Sequence, residues 1–74
     1  MRIIEAQYGV GNRWLDVTQE VVAKIRHDRL KLQVSNDVGG DPAKGSRKEL
    51  RVEYEFERQR HRASVPEDGW LSLP

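Results

Sequence analysis

Apolar and polar residues alternate through most of the chain, and that alternation predicts strands. Over residues 2–8, Ile4, Ala6 and Tyr8 share one face at a period of two. Gly9, Gly11 and Asn12 follow as turn residues, and Arg13 to Val17 reads as a second short strand, so the segment predicts a hairpin. The period then changes. Val17, Val21, Val22 and Ile25 recur at helical spacing, with Glu20, Lys24 and Arg26 facing away. Asp16 or Thr18 would cap this helix; Asp16 with Gln19 has the spacing of a capping box, and Glu20–Lys24 is a favourable pair one turn apart. Leu30, Leu32 and Val34 alternate with Lys31 and Gln33 as a third strand. The strongest alternation puts Leu50, Val52, Tyr54 and Phe56 on one side and Glu49, Arg51, Glu53, Glu55 and Glu57 on the other. Such a strand is antiparallel with one wet face. Arg58-Gln59-Arg60 turns into a partner strand reaching Val65, Pro66 to Gly69 turns again, and Trp70 to Pro74 reads as a short edge strand.

Six strands and one helix predict a β-rich α+β fold, one compact domain over residues 1–74. The expected architecture is one short helix packed on a mostly antiparallel sheet of five to six strands, grasp-like. The alternative is a small β-sandwich with one helix. Leu32, Val34, Leu50, Val52, Tyr54 and Phe56 are expected to share a core with Val21 and Ile25. A chain of 74 residues buries only about 60% of its unfolded surface, so every large apolar side chain counts.

Composition narrows the function. No run of about 18 apolar residues exists, so no membrane-spanning helix is predicted. Glu5 and Gln7 interrupt the apolar start, so no signal peptide is visible and a cytoplasmic location is expected. The absence of cysteine excludes disulfides, thiolate nucleophiles and cysteine metal sites. Thirteen Lys and Arg stand against twelve Asp and Glu, and a net charge of +1 argues against a general polyanion binder.

The irregular stretch Ser35 to Ser46 carries the most unusual composition. Asn36, Asp37 and Asp41 could offer oxygens to Ca²⁺, but the EF-hand pattern is missing, and turn chemistry by Asn, Asp and Gly is the favoured reading. Gly39, Gly40 and Gly45 with Lys44 and Lys48 superficially suggest a phosphate loop. Gly45-Ser46-Arg47-Lys48 leads into a strand rather than a helix, so nucleotide hydrolysis is rejected. His27 and His61 read as solvated, no Gly-x-Ser-x-Gly motif is present, and no enzymatic activity is expected. Basic clusters occur at Arg58, Arg60 and Arg62, at Lys24, Arg26, Arg29 and Lys31, and at Arg47, Lys48 and Arg51. Cross-strand pairing with Glu49, Glu53, Glu55 and Glu57 explains the first without a ligand. Trp14 and Trp70 are expected to pack, with a sugar or peptide platform as the alternative.

Tyr8-Gly9, Asp16-Val17-Thr18, Asn36, Gly40-Asp41-Pro42, Gly45, Lys48-Glu49-Leu50-Arg51-Val52, Tyr54 and Leu73-Pro74 follow one another along the chain. In these residues the chain resembles the C-terminal domain of a mitochondrial J-domain co-chaperone, and related modules that stand alone or are appended to other domains in bacteria and fungi. The resemblance covers nearly the whole chain. It implies a compact β-rich accessory module with no established catalysis. The His-Pro-Asp loop of a J domain is absent, so chaperone activity and mitochondrial location do not carry over. The expected function is that of a small non-catalytic binding module, without cofactor or metal. A protein partner or adjacent domain would be recognised through the 35–48 loop, using Asn36, Asp37, Asp41, Lys44 and Lys48 with Tyr8 and Trp14 nearby. The alternative is a polyanion or nucleic-acid binder through the Arg58/Arg60/Arg62 and Lys24–Lys31 clusters. A calcium-dependent sugar or peptide binder is the weaker alternative, and no membrane contact is expected.

Overall fold

A computed structural model describes all 74 residues. Strands β1 (Arg2–Val10) and β2 (Arg13–Asp16) form the expected hairpin. Gly11 takes φ +60 at the first turn position, where a side chain would be strained. At Gly9 the two strands approach so closely that a Cβ would strike the Arg13 carbonyl.

Helix α1 spans only Thr18–Val22, shorter than the apolar stripe predicts. Val17 and Val21 are buried, but Val22 is exposed and Ile25 half-buried. The capping box does not form. Asp16 instead accepts from the Thr18 amide (2.9 Å) and hydroxyl (2.6 Å), and Thr18 Oγ1 accepts from the Ala6 amide, tying the helix start to β1. Beyond Val22 the amides of Lys24 and Ile25 bond three residues back, and the chain then reverses through His27 and Asp28, both at positive φ. A single-turn helix of this kind is held by packing, not by its own propensity.

The remaining strands are β3 (Leu30–Gln33), β4 (Glu49–Phe56), β5 (Gln59–Pro66) and β6 (Trp70–Leu73). They do not join one sheet. An antiparallel four-stranded sheet has the order β2-β1-β4-β5, and β3 pairs only with β6. The division arises at the Pro66–Gly69 turn. The Glu67 amide donates to the Lys48 carbonyl (2.7 Å), prolonging the β4–β5 ladder, while the next two residues exchange bonds with Val34 (2.8 Å each), prolonging β3–β6. The chain thus switches sheets at one corner. The result is a pair of antiparallel sheets of four and two strands with one short helix, not five to six strands in a single sheet.

Both sheets and α1 share one core of thirteen buried residues, among them Tyr8, Leu30, Leu50 and Leu71. On β1 a bulge inserts Ile4 between Ile3, opposite Tyr54, and Glu5, opposite Glu53. Ile3 therefore takes the inward position beside Ala6 and Tyr8, and Ile4, which strict alternation placed there, is only half-buried. Tyr54 packs at the margin of the core. Phe56, expected inside, pairs only with Gln59, past the Arg2–Glu55 pair that ends β1, and stays half-exposed. No helix is long and apolar enough to cross a membrane.

Candidate functional site

Lys48 occupies the inward-facing parity of Leu50 and Val52, so the backbone carries a cation into the interior. Lys48 is only 4% exposed. Its ammonium donates to Asp41 Oδ1 (2.9 Å) and to the carbonyls of Ala43 (3.2 Å) and Ser46 (2.6 Å), which uses all three protons. Glu67 Oε1 lies 3.5 Å away and also accepts from the Lys48 amide (3.0 Å). The hydrogen bond to Asp41 raises the pKa of Lys48 above the usual lysine value, and the same bond holds Asp41 below the usual carboxylate range. A buried cation is tolerated here because its protons are all bonded and two carboxylates face it.

The loop ahead of Lys48 is ordered from within. Tyr8, buried in β1, donates its hydroxyl to Asn36 Oδ1 (2.8 Å). Burial, followed by the charge of Glu67, pushes the Tyr8 phenol above its ordinary value. Ser35 Oγ accepts from the Asp37 amide (3.2 Å) at the start of a single 3₁₀ turn, Asn36–Val38. Asp41 Oδ1 accepts from the Ala43 amide (3.2 Å), and the Gly40 amide returns to the Asn36 carbonyl (2.8 Å). Val38 and Ala43 are buried beneath the loop. Gly40 takes φ +111, outside the range of other residues.

Of the residues singled out by sequence, Tyr8, Asn36, Asp41 and Lys48 tie the loop to the body of the protein. Asp37 and Lys44 remain exposed on the loop. Trp14 does not join them. Leu15 points toward Gly40, so Trp14 stands on the opposite side of β2, beneath the Arg51 guanidinium at 4.4 Å, with its Nε1 bonded to the Gly11 carbonyl (2.7 Å). Glu67 belongs to the network but is nineteen residues from Lys48, and no local spacing marks it.

No group of three His, Cys, Asp or Glu is placed to hold a metal ion. His27 lies in an exposed turn. His61, expected to be solvated, is half-buried and stacks on Tyr54 with centroids 5.2 Å apart, because it points to the inner side of β5. Neither histidine bonds to a hydroxyl or a carboxylate.

The basic clusters differ from one another. Arg60 and Arg62 both reach Glu53, at 3.4 and 3.5 Å, as cross-strand pairing predicts, whereas Arg51 pairs at 2.7 Å with Glu49, two residues back on its own strand. Lys24, Arg26 and Lys31 form no ion pair and line an open groove of about 500 Å³ whose walls also include Ser35 and Asp37. Trp70, 61% exposed, lies beside Lys31, whose ammonium is 5.8 Å from the indole ring centre.

No curated protein and no solved structure matches the chain. A family model described as DnaJ-like protein C11, C-terminal, matches residues 3–74, which includes every residue of the Lys48 network, and the chain belongs to that family.

Proposed function

We propose that this domain is a non-catalytic, cytoplasmic interaction module that recognises a protein partner or an adjacent domain through the crest of the 35–48 loop. The observation that supports this is the investment in the loop's shape. A buried ammonium with four partners and a buried phenol hold a stretch that otherwise contains one 3₁₀ turn. A loop ordered in advance does not spend binding energy on being ordered. Asp37 and Lys44 project from this frame and supply charge of both signs for recognition. The test is photo-crosslinking in cells from a probe at position 46, which is exposed on the same loop. The expected result is one discrete adduct, lost in the double variant Asp37→Lys/Lys44→Glu with the melting temperature unchanged. Adducts that form only from probes in the Lys24–Lys31 groove would overturn the loop reading.

That groove supports a second reading, a polyanion site. Three unpaired cations and an exposed indole are the elements single-stranded nucleic acid uses. Three phosphate contacts would give a slope of about −2 in log affinity against log salt for an oligonucleotide. Binding without salt dependence would exclude it.

A further inference from the structure

Strand β5 is the outer strand of the four-stranded sheet, eight residues long, and pairs on one side only. Its register with β4 is unbroken from Gln59 to Pro66, so no bulge turns the edge away; its charges are Arg60 and Arg62, and its proline stands only at the last position, Pro66. The phase of its hydrogen bonds follows from its turn. Phe56 and Gln59 flank the two-residue turn Glu57-Arg58 and form a bonded pair, and alternation carries that state to His61, Ala63 and Val65. The Glu67 amide bonded to the Lys48 carbonyl keeps the same phase. Arg60, Arg62 and Ser64 therefore turn their backbone N–H and C=O outward, and no side chain caps them.

The side chains on the two faces of this edge differ. Arg60 and Arg62 project from the outer face, 70% and 87% exposed, and share the single carboxylate of Glu53. On the inner face Ala63 and Val65 are half-buried at the margin of the core. A strand added here would place residues directly opposite Arg60 and Arg62, at Cα separations of about 5.5 Å. Its intervening residues would cover Ala63 and Val65.

We infer that the open edge of β5 receives an extended segment of a partner protein in which acidic and apolar residues alternate, as a fifth strand of this sheet. Charge complementarity selects that occupant. A second copy of this chain paired through β5 would bring four arginines into adjacent rows, and a basic segment would face Arg60 and Arg62 directly. This surface is separate from the 35–48 loop and does not depend on its role.

The test uses the ¹⁵N-labelled chain and two blocked heptapeptides, one alternating Glu and Val and one alternating Lys and Val, at about 0.15 M salt. The Glu–Val peptide is expected to slow amide exchange at Arg60, Arg62 and Ser64 by about tenfold or more, and the Lys–Val peptide to leave it unchanged. The double variant Arg60→Glu/Arg62→Glu should reverse the preference. If circular dichroism shows that variant unfolded, Arg60→Gln/Arg62→Gln should lose the preference for the acidic peptide. Three results would overturn the inference: no slowing at millimolar peptide, equal slowing by both peptides, or protection confined to β2. Protection that grows with protein concentration in the absence of peptide would assign the edge to a second copy and overturn it equally.

Discussion

Replacing Tyr8 with Phe removes one hydroxyl from a fully buried ring and leaves the ring's packing in place. The bond lost is the 2.8 Å contact to Asn36 Oδ1, the direct link between the core of β1 and the 3₁₀ turn of the loop. A neutral hydrogen bond contributes about 0.5–1.5 kcal/mol net. Asn36 is half-exposed, so water can reach its freed oxygen and the cost falls in the lower part of that range. At about 0.5–1 kcal/mol, the melting temperature of a domain of this size should drop by about 2–8 °C, since each kcal/mol is worth about 4–8 °C. The assay is thermal unfolding by circular dichroism for Tyr8→Phe, Asn36→Ala and the double variant. A direct bond requires a coupling energy of about 0.5 kcal/mol or more between the two sites. Amide exchange should quicken at Val38 and Gly40 while Leu50 and Val52 keep their protection. There is also an alkaline signature. The Tyr8 phenol is held above its ordinary value of 10.0 by burial, so the fold favours the neutral form. That contribution is complete below the unfolded value and is lost as pH rises through the folded value. The Phe variant should lack that part of the alkaline loss. Additive single variants, together with unchanged exchange in the loop, would refute the claim that Tyr8 anchors it.

The bulge at Ile4 makes Ile3→Ala cost about 2–5 kcal/mol and Ile4→Ala clearly less in urea unfolding; the reverse order would place the bulge elsewhere. Arg58 sits at φ +66 in the β4–β5 turn, so Arg58→Gly should stabilise by about 1 kcal/mol, read as a higher melting temperature. Asp41 is held below its ordinary value of 3.8 by its hydrogen bond to Lys48, so its contribution is complete above that value and is lost as pH falls through the lower folded value. Asp41→Asn should flatten the acid end of a pH series of urea midpoints, and an unchanged acid slope would show that the pair is not formed.

Local pattern and chemistry determine much of this molecule. The two-residue period of β4 specifies which of its faces is wet, because successive side chains on a strand point to opposite sides. Gly11-Asn12 and Pro66–Gly69 mark turns, because few residue types accept the backbone angles those places need. The composition of residues 35–46 predicts an ordered turn-rich loop and no phosphate site, and the internal bonds of Ser35 and Asp41 are of that kind. Other features depend on partners far away in sequence. Whether β3 and β6 extend the main sheet or form their own is settled by the hydrogen bonds of Glu67, Asp68 and Gly69 to Lys48 and Val34, and nothing in the short pattern of either strand encodes that choice. Ile3 and Ile4 are equivalent in composition, and only pairing with β4 decides which is buried. The apolar stripe beyond Val22 is too short to hold a helix without a surface to pack on, and the chain turns at His27 and Asp28 instead. Lys48 has the inward parity of its strand in the sequence itself. What makes burying it tolerable is Asp41, Glu67 and two loop carbonyls converging on one ammonium, and an ammonium leaves water only where such a shell is assembled by the tertiary fold.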